Sequence, residues 1–178
     1  MTTHSILLSG FGGQGILFAG KLLAYMGLIM DKNVSWLPSY GPEMRGGTAN
    51  CNVIISDDTI GSPIINNPST LICMNKPSFN KFVPMVEKNG LVVLDSSLID
   101  IKGERGDINF VEIPATQIAT DNQHPKLANM VMLGRTLKEL NLGDESVVIS
   151  ALKKTIPNRK IEMLEVNKKA ILAGYNFT

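Results

Sequence analysis

Six residues near the start of the chain, Gly10–Gly15, read Gly-Phe-Gly-Gly-Gln-Gly, and their types and spacing suit a binding site. They follow the apolar run Ile6–Leu8 and precede a long apolar-periodic stretch, which predicts a strand, a glycine turn and a helix N-terminus. Backbone N–H groups at such a turn can approach an anion or another chain closely. We expect unusual backbone angles at Gly10, close approach at Gly12 and tight helix–strand packing at Gly15.

This spacing fits the dinucleotide fingerprint G-x-G-x-x-G, but the residues that follow do not complete a dinucleotide site. Such a site has an acidic residue at the end of the second strand, about 20 residues on, to bind the ribose hydroxyls. The predicted second strand ends in Ser35–Pro38, without a carboxylate, while Asp31 precedes that strand and Glu43 lies in the following loop. A stand-alone NAD- or FAD-binding protein is therefore the alternative interpretation, not the preferred one.

An overlapping stretch, Gly15–Lys21, has the spacing of a nucleotide-binding P-loop. Leu22 occupies the position of the Ser or Thr that binds Mg²⁺ in that motif, and the interior of the stretch is apolar and predicted to be helical. We exclude nucleotide hydrolysis on these grounds.

A second segment suited to binding, residues 37–48, reads Leu-Pro-Ser-Tyr-Gly-Pro-Glu-Met-Arg-Gly-Gly-Thr. Its prolines restrict the path of the backbone, whereas its glycines permit turns or close backbone approach. Arg45, paired with Glu43, can present a rigid guanidinium fork to a phosphate or carboxylate. The alternative is a rigid connection that carries a surface ion pair.

The histidines and cysteines do not form a catalytic or metal-binding pattern. His4 and His124 have no evident catalytic partner, and no His/Cys/carboxylate spacing suits a metal. Cys51 and Cys73 lie in runs that read as strands, where buried reduced thiols are expected. We therefore predict no metal and no catalytic residue in this chain.

The C-terminal third carries a basic face that is partly offset by acidic residues. Its basic members are Lys153, Lys154, Arg159, Lys160, Lys168 and Lys169, and its acidic members are Glu162 and Glu165. A solvated helical face is the favoured interpretation, and docking of an acidic partner is the alternative.

The composition indicates a globular protein with one domain over residues 1–178, since 44% of the residues are hydrophobic and 19% are charged. The net charge of +1 gives no reason to expect nucleic acid or an anionic membrane as a partner. No signal-peptide pattern is present, and the longest apolar segment, Ile16–Met30, is interrupted by Gly20, Lys21 and Gly27. We expect a cytoplasmic protein.

Strand and helix patterns alternate along the chain. The predicted strands are Ser5–Ser9, Asn33–Leu37 (ended by Pro38), Thr48–Ser56, Thr59–Ile60, Thr70–Met74, Leu91–Asp95 and Asn109–Pro114. The predicted helices are Ile16 to about Met30, Lys76 to near Gly90, Pro125 to about Leu140, Asp144–Ile156, and Ile161 to about Ala173, before Gly174. With a hairpin turn at Asp57-Asp58, the pattern predicts a three-layer α/β/α sandwich, mostly parallel, with an antiparallel excursion.

Two motifs in order, Gly10–Ile16 and Pro38–Gly47, resemble the gamma subunit of the 2-oxoacid:ferredoxin oxidoreductases, the family of the pyruvate, 2-oxoisovalerate, 2-oxoglutarate and indolepyruvate enzymes. Val53–Ser56 and Gly61–Pro63 resemble the next shared block of that family. The resemblance implies a subunit of a complex that oxidatively decarboxylates a 2-oxoacid, joins the acyl group to coenzyme A and reduces ferredoxin. It implies thiamine diphosphate, Mg²⁺ and iron–sulfur clusters in partner subunits, and none of them bound by this chain alone.

The resemblance also implies a role for the two motifs. Gly12, Gly13 and Gln14 are expected at the subunit contact or facing the phosphates of coenzyme A, with Tyr40, Glu43 and Arg45 along the same edge, where the carboxyl ends of strands 1 and 2 converge. The full predicted set is Gly10, Gly12, Gly13, Gln14, Gly15, Tyr40, Gly41, Glu43, Arg45, Gly46 and Gly47.

For a short gamma chain of this type the resemblance favours 2-oxoglutarate over 2-oxoisovalerate as the substrate of the complex. The isolated chain is expected to be inactive and able to form a homodimer through the apolar surface meant for partners. A scaffolding module without a role in electron transfer is the remaining alternative.

Overall fold

A computed structural model of the chain describes residues 2–39, 48–100 and 105–178. The described strands are β1 Thr3–Phe11, β2 Asn33–Ser39, β3 Thr48–Ser56, β4 Thr70–Cys73, β5 Leu91–Asp95 and β6 Asn109–Ile113. The described α-helices are α1 Ile16–Ile29, α2 Lys76–Phe82, α3 Ala115–Asp121, α4 Ala128–Leu140, α5 Glu145–Thr155 and α6 Met163–Asn176. Short 3₁₀ helices span Val83–Met85, Pro125–Leu127 and Asn158–Lys160.

The strands form one sheet in the order β2-β3-β1-β4-β5-β6. The pairs β1–β4, β4–β5 and β5–β6 are parallel, whereas β3 runs antiparallel to both of its neighbours. Gly10 lies opposite Ala49, and Ser39 lies opposite Asn50. One edge of the sheet therefore holds the ends of β1, β2, β4, β5 and β6 and the start of β3, and we name it the carboxyl edge.

Helices cover both faces of this sheet, as the alternation of side chains along β1 illustrates. Ile6 and Leu8 belong to a core cluster with α1 and with residues of α3, α4, α5 and α6. Leu7, between them, belongs to a second cluster with Phe82 of α2. Successive strand residues point to opposite faces, so two clusters on one strand require two covering layers. The predicted α/β/α architecture is confirmed.

The antiparallel excursion is present, but its predicted partner is wrong. Thr59–Ile60 forms no strand, and β3 pairs instead with β1 and β2. Pro38 does not end β2, which continues to Ser39. Proline is tolerated there because β2 is at the edge of the sheet, where one side of the strand has no ladder to complete. The ends of β1 and β2 share an edge as expected, but β3 lies between them.

Three predicted helices need correction, and one helix was missed. The helix predicted from Pro125 begins as a 3₁₀ helix over Pro125–Leu127, and α4 starts at Ala128. The helix that begins at Lys76 ends at Phe82, and a 3₁₀ helix with Pro84 follows it, since proline removes the backbone donor that an α-helix needs. Helix α3 was not predicted. Helix α6 does not stop before Gly174 but runs through it to Asn176.

Candidate functional site

The predicted glycine turn connects β1 to α1 at the carboxyl edge. The backbone φ is +94° at Gly13 and +74° at Gly15, a left-handed region that favours glycine. Gly10 has no positive φ. It is instead the position of close packing, because a Cβ there would lie 2.6 Å from Gln14 Oε1 and 2.8 Å from Ile16 Cδ1. The glycine turn is as predicted. The unusual backbone angle predicted at Gly10 is wrong, whereas Gly15 is tightly packed as predicted, although against Asn129 of helix α4 and not against a strand.

Gln14 holds the turn to the sheet through both ends of its amide. Its Oε1 accepts a hydrogen bond of 2.6 Å from the Phe11 backbone N–H, and its Nε2 donates to the Met74 carbonyl at 3.1 Å. The Gln14 backbone N–H also donates to the Phe11 carbonyl at 3.2 Å. Because Met74 directly follows β4, this side chain ties together the carboxyl ends of the neighbouring strands β1 and β4.

The outer surface of the turn presents backbone donors. Gly12 and Gly13 are exposed, and among the described residues nothing accepts a hydrogen bond from the backbone N–H of Gly12, Gly13 or Gly15. The first turn of α1 carries no acidic side chain and no side-chain cap. A 14-residue helix therefore presents free N–H groups and the positive end of its dipole at the carboxyl edge. Such an arrangement can bind an anionic group.

Asn129 of α4 supports the turn from the inside, a role that sequence reasoning missed. Its Nδ2 donates to the Gly15 carbonyl at 3.1 Å, and the residue is only 5% exposed. Its Oδ1 is buried and has no partner among the described residues. The available signal was an asparagine at the start of an otherwise apolar helical run, Ala128–Leu133, where a polar residue needs a partner.

Beside the turn lie the adjacent carboxyl ends of β1 and β4. Ser9 donates from Oγ to the Ile72 carbonyl at 3.1 Å, and the Met74 backbone N–H donates to the Ser9 carbonyl at 3.0 Å. Asn75 then caps α2 by accepting from the Ser78 backbone N–H at 2.8 Å. Connections leave β1 and β4 in opposite directions along the sheet, and open α/β sheets bind ligands at such a point.

Both cysteines are buried, as predicted, and lie on opposite faces of the sheet. Burial raises the pKa of the Cys51 thiol to about 12 and that of the Cys73 thiol to about 11. Neutral thiols of this kind are poor nucleophiles and poor cluster ligands at neutral pH.

The second predicted motif cannot be placed. Its site residues Tyr40, Gly41, Glu43, Arg45, Gly46 and Gly47 lie outside the described residues. The chain enters this segment from the end of β2 at Ser39 and leaves it into β3 at Thr48, so both flanks are at the carboxyl edge. Within the described ranges no three His, Cys, Asp or Glu residues are grouped to hold a metal, and no helix is long and apolar enough to cross a membrane.

Comparison with known proteins identifies close sequence relatives. The ketoisovalerate oxidoreductase subunit VorA of Methanothermobacter thermautotrophicus is 35% identical over 171 residues, 95% of this chain. The chain spans 35% of the length of that relative. The 2-oxoglutarate synthase subunit KorC of Methanocaldococcus jannaschii is 35% identical over 173 residues, which are 96% of this chain and 91% of that protein.

The fold has a solved counterpart at similar length. The crystal structure of a keto/oxoacid ferredoxin oxidoreductase gamma subunit from Geobacter sulfurreducens superimposes with a TM-score of 0.82 at 27% identity. The match covers 97% of this chain and 96% of that one. The pyruvate ferredoxin/flavodoxin oxidoreductase family matches residues 5–177, nearly the whole chain. The resemblance inferred from the two motifs is thereby confirmed, and the chain belongs to the pyruvate ferredoxin/flavodoxin oxidoreductase family.

Proposed function

We propose that this chain is the gamma-type subunit of a 2-oxoacid:ferredoxin oxidoreductase, and that it shapes the approach of coenzyme A without performing chemistry itself. The complex would oxidatively decarboxylate a 2-oxoacid, form an acyl-coenzyme A and pass electrons to ferredoxin. Thiamine diphosphate and iron–sulfur clusters in partner subunits supply that chemistry when bound. Membership of the family supports the subunit assignment, and the burial of both thiols leaves neither of them accessible to a substrate.

The observation that carries this proposal is the set of free backbone donors at the N-terminus of α1. A diphosphate needs several N–H donors, a positive environment and space for close approach, and the turn offers all three. Gly12 and Gly13 are exposed, and a Cβ built at Gly13 would meet nothing within 4 Å. The residues present therefore fit the diphosphate of coenzyme A. The same exposed backbone is suited to a close contact with the thiamine-binding subunit.

Tyr40, Glu43 and Arg45 complete the proposed site from the second motif. The end of β2 and the start of β3 bring both flanks of that motif to the carboxyl edge, which also holds the glycine turn. Arg45 is proposed to pair with phosphate or with a carboxylate of the partner subunit, since a guanidinium fork binds either group. Arg45→Ala is then expected to weaken assembly or to raise the KM for coenzyme A without unfolding the chain.

Two substitutions of Gln14 separate anion binding from simple support of the turn. Gln14→Ala removes both amide hydrogen bonds, whereas Gln14→Glu keeps an acceptor for the Phe11 N–H and adds a negative charge. If the turn binds phosphate, the charge repels it, so Gln14→Glu should raise the KM for coenzyme A more than Gln14→Ala does, by about tenfold or more. The KM for the 2-oxoacid should stay unchanged in both variants.

The measurement is steady-state viologen reduction by the reconstituted complex under anaerobic conditions. If Gln14→Glu behaves like the unmodified chain, or if it is milder than Gln14→Ala, the turn supports the fold but does not bind an anion. Thermal unfolding of each variant is the control, since a loss of fold would lower the activity with the 2-oxoacid and with coenzyme A alike.

We propose 2-oxoglutarate as the substrate of the complex. The support is the KorC relative, whose whole length this chain nearly covers, whereas the VorA relative is much longer than this chain. Comparison of kcat/KM for 2-oxoglutarate, 2-oxoisovalerate and pyruvate tests this assignment. A higher value for either of the other two acids would replace it and leave the subunit assignment intact.

A further inference from the structure

The end of α5 and the 3₁₀ helix that follows it carry four exposed cations that the proposed function does not use. They are Lys153, Lys154, Arg159 and Lys160, which we name the cationic surface. None of the four makes an ion pair or a side-chain hydrogen bond with any residue in the described ranges. The other two members of the predicted basic face are separate, since Lys168 pairs with Glu145 at 2.8 Å and Lys169 lies on α6.

The charge of this surface contrasts with that of the remaining chain. Residues 153–160 contain four basic residues and no acidic one, a local charge of +4. The chain holds 17 basic and 16 acidic residues, so the other residues hold 13 basic and 16 acidic, a charge of −3. A chain that is nearly neutral overall thus has a strongly positive region.

Helix stability explains only part of this clustering. Lys153 and Lys154 lie in the last turn of α5, where cations favour the helix dipole. Arg159 and Lys160 lie beyond that helix, because Ile156 has extended backbone angles and Pro157 follows it. Within the described ranges they have no ion-pair partner, and no α-helix C-terminus accounts for their position.

Exposed apolar side chains accompany the charges. Ile161 is 53% exposed and Met163 is 36% exposed, directly after Lys160 and on either side of the exposed Glu162. A protein interface combines apolar contact with a charged rim in this way. No aromatic residue occurs in residues 151–164, so the surface lacks the rings on which single-stranded nucleic acid bases stack.

We infer that the cationic surface docks an acidic face of a partner subunit in the oxidoreductase complex, with Ile161 and Met163 at the apolar centre of the contact. The inference rests on the proposed function, since it needs a complex with partner subunits. It names a second contact, formed by α5 and the start of α6 and separate from the glycine turn at the N-terminus of α1.

The test is the salt dependence of assembly with purified partner subunits from the same cells. The variant is R159E/K160E, and the matched control is K88E/K126E, which makes the same charge change at two exposed lysines outside the cationic surface. We expect R159E/K160E to raise the Kd of assembly about tenfold or more at low salt and to flatten its salt dependence. R159Q/K160Q should have an intermediate effect, and K88E/K126E should match the unmodified chain.

Several outcomes would overturn the inference. The inference is wrong if R159E/K160E assembles with the same Kd and the same salt dependence as the unmodified chain. It is also wrong if K88E/K126E weakens assembly as much as R159E/K160E does. Binding of the assembled complex to anionic lipid vesicles or to single-stranded RNA would also reject the inference if that binding depends on Arg159 and Lys160. The surface would then bind a different partner. If the unmodified chain fails to assemble at all, the proposed function fails too, whereas normal assembly of R159E/K160E rejects this docking surface alone.

Discussion

At the scale of single residues, Gly15 and Asn129 constrain each other across the core. A Cβ at Gly15 would lie 2.4 Å from Asn129 Nδ2, and the φ of +74° is already unfavourable for other residues. Gly13 shares the positive φ but has open space around it. The two glycines therefore separate the cost of backbone strain from the cost of a displaced buried side chain.

We predict that Gly13→Ala lowers the free energy of unfolding by about 1–2 kcal/mol, through left-handed strain alone. Gly15→Ala should lower it by about 2–4 kcal/mol, because the same strain is joined by loss of the buried Asn129 hydrogen bond. Chemical denaturation measures both values. In an Asn129→Ala background the cost of Gly15→Ala should fall to that of Gly13→Ala, and equal costs in the unmodified background would contradict this explanation.

At the scale of elements, two glycines set the distance between α4 and α6. A Cβ at Gly134 would lie 1.9 Å from the Ile171 carbonyl oxygen, and one at Gly174 would lie 1.9 Å from the Val131 carbonyl oxygen. The clashes are reciprocal and involve backbone, so neither helix can yield by turning a side chain. The helices cross where each lacks a side chain.

Alanine at Gly134 or at Gly174 should therefore be strongly destabilising, although alanine favours a helix by about 1 kcal/mol over glycine. We expect a loss of about 3 kcal/mol or more in the free energy of unfolding, because two packed helices must move apart. Gly61→Ala is the control, since a Cβ there meets nothing within 4 Å, and it should change stability by no more than about 0.5 kcal/mol. Thermal denaturation measures the effect. If Gly134→Ala unfolds at the same temperature as the unmodified chain, this explanation of the helix crossing is wrong.

These glycines also show where sequence patterns reach their limit. Apolar runs such as Leu91–Leu94 are long enough to identify buried strands, and β5 has the predicted bounds. Gly174 is a helix terminator by local rules, yet α6 continues through it at the point where the backbone of α4 at Val131 approaches, a contact that no local pattern shows. Likewise, Asp57-Asp58 predicts a local hairpin, but the pairing of β3 with β1 is long-range and leaves no local signal.

The same limit applies to the candidate site. The glycine turn could be predicted, because its residues are consecutive and glycine is required by the backbone angles at Gly13 and Gly15. The supporting role of Asn129 could not, because it lies 114 residues from Gly15 and acts only once α4 packs beside α1. The hydrogen bond from Gln14 to Met74 likewise depends on β4 pairing with β1.

At the scale of the whole molecule, we expect the two edges of the sheet to respond differently to assembly and to coenzyme A. The glycine turn is at the carboxyl edge, whereas the loop of residues 57–69 joins the end of β3 to the start of β4 at the opposite edge. Most residues of this loop are exposed, and Ile64 among them is 62% exposed. The glycine turn and the loop of residues 57–69 can therefore be compared to detect which edge a partner covers.

Hydrogen exchange should distinguish the two edges. In the assembled complex, we expect amide exchange in residues 10–18 to slow relative to the isolated chain, and to slow again when coenzyme A is added, because partner backbone and phosphate occupy the free N–H groups of the turn. Residues 57–69 should show no response to coenzyme A. Mass spectrometry of peptides from both segments measures the exchange rates. If coenzyme A slows exchange in residues 57–69 but not in residues 10–18, the coenzyme binds at the edge opposite to the proposed site.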